Sequence, residues 1–272
     1  MAALTPAELS HFDAFGFVVR RSLFSAAEIA DTRAAAEQLW DRSGTEPLEP
    51  GKEFRISEFV ERSPSLTALA ADERLLTPVE QLLGDGYVWA GSEGNCSATT
   101  TFGWHADRKY WGPPASGWPD ACGRGAAQRD LSLTSFLQLK ISVYLDHLTK
   151  HSGCFRAIPG SHKPPMYDKM GPQENAVNRW GASPDPQPFG LAASELPCSH
   201  IETSPGDVII WHTCLWHGVY IPDFENIPTQ LDSGNRERRY IALKFSSVPE
   251  RDEETRAMHK YCELQYKCQS FF

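Results

Sequence analysis

The segment 103–107, read GWHAD, places a histidine and a carboxylate two positions apart, at His105 and Asp107. In an extended strand the side chains of residues i and i+2 leave the same face, so these two can reach one point. An imidazole and a carboxylate belong to the 2-His-1-carboxylate ligand set of non-haem Fe(II) sites, which leaves coordination positions open for chemistry. Because isolated His-x-Asp pairs are common by chance, this interpretation requires a second histidine elsewhere in the chain.

The segment 204–218, read SPGDVIIWHTCLWHG, supplies candidates for that second histidine. A Pro-Gly-Asp turn precedes an apolar strand that carries His212 and His217. On one uninterrupted strand, residues five positions apart face opposite ways, so at most one of the two should bind. We favour His217, because Gly218 beside it allows a backbone or a ligand to approach closely. His212 is expected to pack or hydrogen-bond within the strand.

Helices are predicted for the first third of the chain. Capping boxes begin at Thr5 and Ser25, and the short apolar run 17–19 between their helices predicts a strand. Two further short helices follow, the second beginning at Asp72 or Thr77. From there on, apolar, β-branched and aromatic runs separated by Gly and Pro turns predict strands. These runs span residues 87–89, 98–102, 133–145, 208–211 and 240–248.

Strict alternation makes the predicted strand 136–146 the most informative, since aliphatic residues alternate there with polar and aromatic ones. We expect the aliphatic face to pack on the N-terminal helices and the other face to line a cavity. Lys140 and Gln138 lie on that second face, where a buried ammonium needs a counter-charge such as a bound dicarboxylate. The alternative is that this face is solvated, as in many antiparallel strands.

Composition argues against several classes of function. The chain has 272 residues, a net charge of −9 and no run of Lys or Arg, which disfavours nucleic-acid or acidic-membrane partners. No apolar stretch resembles a signal peptide or a membrane-spanning helix, so we expect a cytoplasmic protein. The seven cysteines form no CxxC pair, which predicts reduced thiols rather than disulfides or a zinc ribbon. The expected partner is a small-molecule substrate, and the expected assembly is a monomer or weak homodimer.

Six segments follow one another in a specific order. They read LTPAELSHFDAFGFVVRRSLFSAAEIADTRAA, SPSLTALAADERLLTPVEQLLGD, WHAD, SGCFRAIPGSHK, PGDVIIWHTCLWHG and RRYIALKF. Together they resemble the phytanoyl-CoA dioxygenase (PhyH)-like Fe(II)/2-oxoglutarate oxygenases. The resemblance implies a mainly β fold with flanking helices, a double-stranded β-helix of the jelly-roll, cupin-like type. It implies one domain over 1–272, with a helical flank at 1–86, the barrel at 87–250 and a C-terminal helix or tail at 251–272.

The resemblance also implies the ligands and the reaction. His105, Asp107 and His217 would hold Fe(II), with 2-oxoglutarate and O2 as co-substrates and ascorbate as a stimulant. The implied reaction releases succinate and CO2 and oxidises a substrate C–H bond. Related halogenases replace the carboxylate with a small residue, so Asp107 favours hydroxylation or a related oxidation.

An arginine that binds 2-oxoglutarate opens the last strand in this family, and both Arg238 and Arg239 stand at that position. Arg238 alternates with Tyr240, whereas Arg239 shares its face with aliphatic residues. If the aliphatic face packs outward, Arg238 points inward and can grip the far carboxylate in a bidentate pair. Arg239 is the alternative. Lys140 and Gln138 could assist with the co-substrate or the substrate.

Some features depart from the family pattern or leave other functions open. Val219 and Tyr220 replace a serine that usually follows the distal His-Gly, and the loop 221–235 is longer than usual. Two long segments, 108–130 and 164–197, are predicted lids or binding loops. The substrate could be a small acid, a natural-product intermediate or an acyl thioester. The rival functions are a non-oxidative or zinc-binding jelly roll and a catalytically silent binding module.

Overall fold

The computed structural model describes residues 2–41, 48, 52–98, 102–107, 137–163, 166, 196–219 and 237–248. The expectations for the segment 108–130, for most of 164–197, for the loop 221–235 and for the tail 251–272 therefore lie outside the described residues.

Four α-helices and one short 3-10 helix (Val60–Arg62) form in the described part of the N-terminal third, and the predicted capping boxes are confirmed. Thr5 and Ser25 each accept the backbone N–H of the glutamate three residues on, and each glutamate returns a bond to the cap backbone. Asp72, rather than Thr77, caps the fourth helix through the N–H of Arg74. The helices are α1 (Pro6–Phe15), α2 (Ala26–Leu39), α3 (Pro64–Ala70) and α4 (Glu73–Leu83).

Ten strands form two sheets in the described residues. The six-stranded sheet has the order β1-β8-β5-β10-β3-β2, and the four-stranded sheet has the order β4-β9-β6-β7. All pairings in both sheets are antiparallel. The strands are β1 (Phe17–Arg20), β2 (Glu53–Ser57), β3 (Val88–Ala98), β4 (Phe102–His105), β5 (Gln138–Tyr144), β6 (Phe155–Ala157), β7 (Ser199–Ile201), β8 (Val208–His212), β9 (His217–Val219) and β10 (Glu237–Ser246).

The six-stranded sheet differs from the sequence prediction in two strands, β3 and the unpredicted β2. Its strand β3 runs unbroken over Val88–Ala98, where separate strands at 87–89 and 98–102 were predicted. The stretch from Gly91 to Ser97 has few β-branched residues, and pairing with β10 along its length makes it a strand. The edges of the sheet, β1 and β2, both come from the mainly helical front of the chain.

Two apolar clusters lie on opposite faces of the six-stranded sheet. On the outer face, aliphatic residues such as Ile141 and Leu243 pack with helix residues such as Ile29 and Leu75. On the inner face, Tyr144 and other residues pack against the strands of the smaller sheet. The expected separation of an aliphatic face toward the helices is thus confirmed, and the inner face is left to form a site between the sheets.

Neither a disulfide nor a membrane-spanning helix is found in the part of the chain that the structure describes. Cys96, Cys154, Cys198 and Cys214 form no disulfide. No helix there combines the length and the apolar character needed to cross a membrane.

Gly94 on β3 lies close to the ring of Phe59, and this contact leads to a first prediction. The ring of Phe59 stacks on Trp40 at 5.0 Å between centroids, and a Cβ added at Gly94 would lie 2.4 Å from ring carbons of Phe59. We expect Gly94→Ala to lower the free energy of unfolding by about 1–3 kcal/mol, measured by urea denaturation, because the buried ring cannot move away freely.

The matched control is the same substitution in a Phe59→Ala background. There the ring is gone, so Gly94→Ala should cost markedly less than it does in the wild type. An equal cost in both backgrounds would show that the contact with the ring is not the reason for the glycine.

Candidate metal centre

Three side chains from two neighbouring strands converge between the sheets. His105 ends β4 and lies opposite His217, which begins β9, and Asp107 follows two residues after His105. One ligand atom from each of the three lies within 4.8 Å of the others. The Oδ1 atom of Asp107 is 3.9 Å from Nε2 of His105 and 4.0 Å from Nε2 of His217. The antiparallel pairing thus brings together residues that are far apart in the sequence.

His212 lies outside this cluster, but the expectation of one uninterrupted strand was wrong. β8 ends at His212, the chain turns, and His217 begins β9 in the other sheet. Nδ1 of His212 accepts the backbone N–H of Cys214 at 2.9 Å. The ring of His212 lies 5.3 Å from that of His162, whose Nε2 contacts the carbonyl of Asp13. Both histidines therefore contact the surrounding structure rather than the cluster.

The surroundings of His217 prepare it as a neutral nitrogen ligand. Its Nδ1 lies 2.8 Å from the carbonyl of Leu215, which can only accept, so Nδ1 carries the proton and Nε2 has the lone pair. Phe155 stacks on the imidazole at 5.2 Å, and Trp211 lies at 4.2 Å. Burial, together with the nearby His105, lowers the pKa of His217 to about 3.

Asp107 supplies the negative charge of the cluster. Burial alone would raise its pKa, but Lys140 and the two histidines hold the pKa of Asp107 well below its usual value. Nζ of Lys140 lies 2.9 Å from Oδ2 of Asp107. Two imidazole nitrogens and one ionised carboxylate are the donor set that suits non-haem Fe(II). The described residues therefore fit this metal.

Lys140 belongs to a buried charge cluster that the sequence analysis missed. The fully buried Glu93 lies on β3, with Oε1 2.5 Å from Lys140 and Oε2 3.2 Å from Lys244 and 2.8 Å from Arg55. Burial opposes the charge of Glu93, yet these cations keep the pKa of Glu93 well below its usual value. The signal for Glu93 was hidden because β3 was not predicted as one strand.

Arg238 and Arg239 face opposite sides of β10. Arg239 is occupied on the helix side, where it pairs with both carboxylate oxygens of Asp146, at 3.0 and 2.8 Å, and with Glu37 at 2.6 Å. Arg238 is only 7% exposed, and its guanidinium lies over the ring of Tyr240 at 4.3 Å. Among the described residues, Nε of Arg238 has no hydrogen-bond partner.

The surroundings of Arg238 connect with those of the metal ligands. Tyr240 stacks on Tyr144 at 5.7 Å, and burial raises the pKa of Tyr144 to about 12, so its hydroxyl stays protonated. Tyr144 belongs to the same apolar cluster as Trp211 and Phe155, the two rings that contact His217. The tyrosines beside Arg238 and the rings beside His217 therefore pack into the same apolar cluster.

Gln138 lies on the inner face of β5, one step beyond Lys140 in the alternation. Its Nε2 donates to Oγ of Ser246 at 3.0 Å, and the side chain is 1% exposed. Oε1 of Gln138 has no hydrogen-bond partner within the described part of the chain. This buried acceptor faces the interior without contacting Asp107 or His217 in the structure.

The chain is similar to known proteins in both sequence and structure. Residues 12–219 match the family described as phytanoyl-CoA dioxygenase (PhyH). Ectoine dioxygenase of Sphingopyxis alaskensis is 30% identical over 237 residues, which cover 80% of this chain and 71% of that protein. HygX from Streptomyces hygroscopicus, solved with nickel and 2-oxoglutarate bound, has a TM-score of 0.64 at 22% identity over 90% of this chain and 88% of its own. EctD from S. alaskensis, in its apoform, has a TM-score of 0.58 at 24% identity over 90% of this chain and 78% of its own.

The structural matches confirm the predicted jelly-roll fold, and the family match covers most of the chain. The chain belongs to the phytanoyl-CoA dioxygenase (PhyH) family and, with it, to the Fe(II)- and 2-oxoglutarate-dependent non-haem oxygenases.

Proposed function

We propose that this protein hydroxylates a C–H bond of a small-molecule metabolite, with His105, Asp107 and His217 as the iron ligands. The observation that carries the proposal is the convergence of their three ligand atoms within 4.8 Å. Bound iron, with 2-oxoglutarate and O2, would supply the oxidising chemistry, and succinate and CO2 would be released. A small-molecule substrate is supported by the relative that is named for ectoine.

The protein residues have distinct tasks in this proposal. His217 stays neutral and presents Nε2, because Nδ1 keeps its proton and donates it in a hydrogen bond to the carbonyl of Leu215. Asp107 stays ionised beside Lys140 and fills the third protein position with a carboxylate, which favours hydroxylation over halide transfer. The buried rings of Phe155 and Trp211 shield the imidazole of His217 from water.

Arg238 is the proposed anchor for the far carboxylate of 2-oxoglutarate. Its buried guanidinium has an unpartnered Nε among the described residues, whereas Arg239 is already paired with Asp146 and Glu37. Two parallel hydrogen bonds to a carboxylate can offset the desolvation cost of a buried guanidinium. Lys140 and Gln138 are proposed to face the same cavity and to assist in placing the co-substrate or the substrate.

Succinate formation tests the reaction class. Full-length protein loaded anaerobically with Fe(II) should release succinate slowly when it is exposed to air with 2-oxoglutarate and ascorbate. His217→Ala and Asp107→Ala should reduce the succinate to background, because each removes a metal ligand. His212→Ala is the matched control and should retain the wild-type rate. Undiminished succinate from His217→Ala would show that the ligands are misassigned.

The two neighbouring arginines give a second, paired test. Arg238→Ala should weaken 2-oxoglutarate binding to the metal-loaded protein by about 30-fold or more, since truncating one partner of a buried charge pair costs roughly 2 kcal/mol or more. Arg239→Ala should leave that affinity within a few-fold and instead lower the melting temperature, because Asp146 loses its bidentate partner. The opposite assignment of the two effects would make Arg239 the anchor.

A further inference from the structure

The two carboxylate oxygens of Asp107 have different surroundings. Oδ1 faces Nε2 of His105 at 3.9 Å and Nε2 of His217 at 4.0 Å. Oδ2 is turned away toward Nζ of Lys140, at 2.9 Å. One oxygen is therefore directed at the possible metal position, while the other is engaged by a buried ammonium.

The position of Lys140 is itself held by the charge cluster. Lys140 on β5 lies directly opposite Lys244 on β10, a like-charged pair that would repel if it were left alone. The carboxylate of Glu93 lies between them and accepts Lys140 on Oε1 at 2.5 Å and Lys244 on Oε2 at 3.2 Å. Moving Lys140 away would leave a fully buried carboxylate short of one counter-charge, which is costly.

The orientation of Asp107 matters because a carboxylate can bind a divalent ion through one oxygen or through both. The 2-His-1-carboxylate set works with three open positions, and a second carboxylate oxygen would occupy one of them. Chelation of 2-oxoglutarate would take two of these positions and leave one for O2. A contact that keeps Asp107 bound through one oxygen would therefore keep the open coordination positions available for 2-oxoglutarate and O2.

We propose that Lys140 is a positioning residue that holds Asp107 as a one-oxygen metal ligand, and that Glu93 anchors Lys140 for this task. The inference rests on the proposed function, since it assumes that His105, Asp107 and His217 bind the metal. The buried charge cluster would then set the coordination geometry of the metal in addition to stabilising the fold.

Crystal structures of the full-length protein loaded with Ni(II) test the proposal. In the wild type, Oδ1 of Asp107 should bind at about 2.0–2.2 Å, and Oδ2 should stay on Lys140. In Lys140→Met and in Glu93→Gln, Asp107 should turn so that both oxygens approach the metal. Lys140→Arg should restore the one-oxygen mode, because a guanidinium can also hold Oδ2.

Affinity for 2-oxoglutarate gives a second readout on the same Ni(II)-loaded samples. Lys140→Met and Glu93→Gln should weaken 2-oxoglutarate binding by about 10-fold or more, as is typical when a group that orients a metal ligand is removed. Lys244→Met is the matched control, because it removes another cation from Glu93 without touching Asp107. It should preserve both the one-oxygen mode and the affinity.

The outcomes separate this inference from the function on which it rests. If wild-type protein holds no Ni(II) between the three ligands, the proposed function fails. If Ni(II) is held there but both oxygens of Asp107 bind it in the wild type, the positioning role is overturned. One-oxygen binding in both the wild type and Lys140→Met would overturn it equally. The wild-type structure decides the first two cases even if a variant does not fold.

Discussion

The pairing of His105 with His217 across two antiparallel strands is the constraint on which the site depends. Because side chains alternate along a strand, a slip of one residue between β4 and β9 would turn one imidazole to the opposite face. The register of β4 and β9 shifts between the pair Phe102–Val219 and the pair His105–His217, and β9 also pairs with β6 on its other side. Asp107 then needs only to follow His105 to complete the cluster. The proposed metal site thus depends on the pairing of strands in the smaller sheet.

The larger sheet contributes the charged residues that surround the ligand cluster. Its inner face carries polar residues at both ends, whereas its outer face is mainly aliphatic. Arg238 occupies one end beside two tyrosines, and Lys140 with Glu93 occupies the region of Asp107. Charges at this depth are tolerated only when they are paired with protein groups or with ligands. Arg239, one residue from Arg238, pairs fully on the opposite face. The helices cover the aliphatic outer face, and the inner face packs against the smaller sheet.

Regular alternation explains which parts of this site could be predicted from the sequence. In β5 the aliphatic and polar residues alternate strictly, and in β10 Ile241, Leu243 and Phe245 mark one face as aliphatic, so the inward placement of Lys140 and Arg238 followed from the pattern. Glu93 was missed because Gly and Ser interrupt the β-branched signal of β3, and only pairing with β10 reveals the strand. His212 and His217 were expected to face opposite ways on one strand, but the chain turns between them and enters the other sheet. The alternation of residue types gives no sign of that turn. Non-local pairing, rather than local preference, decides these features.

In the proposed function, the cluster of His105, Asp107 and His217 and the buried Arg238 together form one site for a metal and 2-oxoglutarate. Anaerobic equilibrium dialysis of 2-oxoglutarate against the full-length protein, with and without Fe(II), tests it most directly. We expect about one 2-oxoglutarate bound per chain with Fe(II), and binding at least tenfold weaker without it, because the metal would supply two of the bonds. Equal binding with and without Fe(II), or no binding in its presence, would show that these residues do not form such a site.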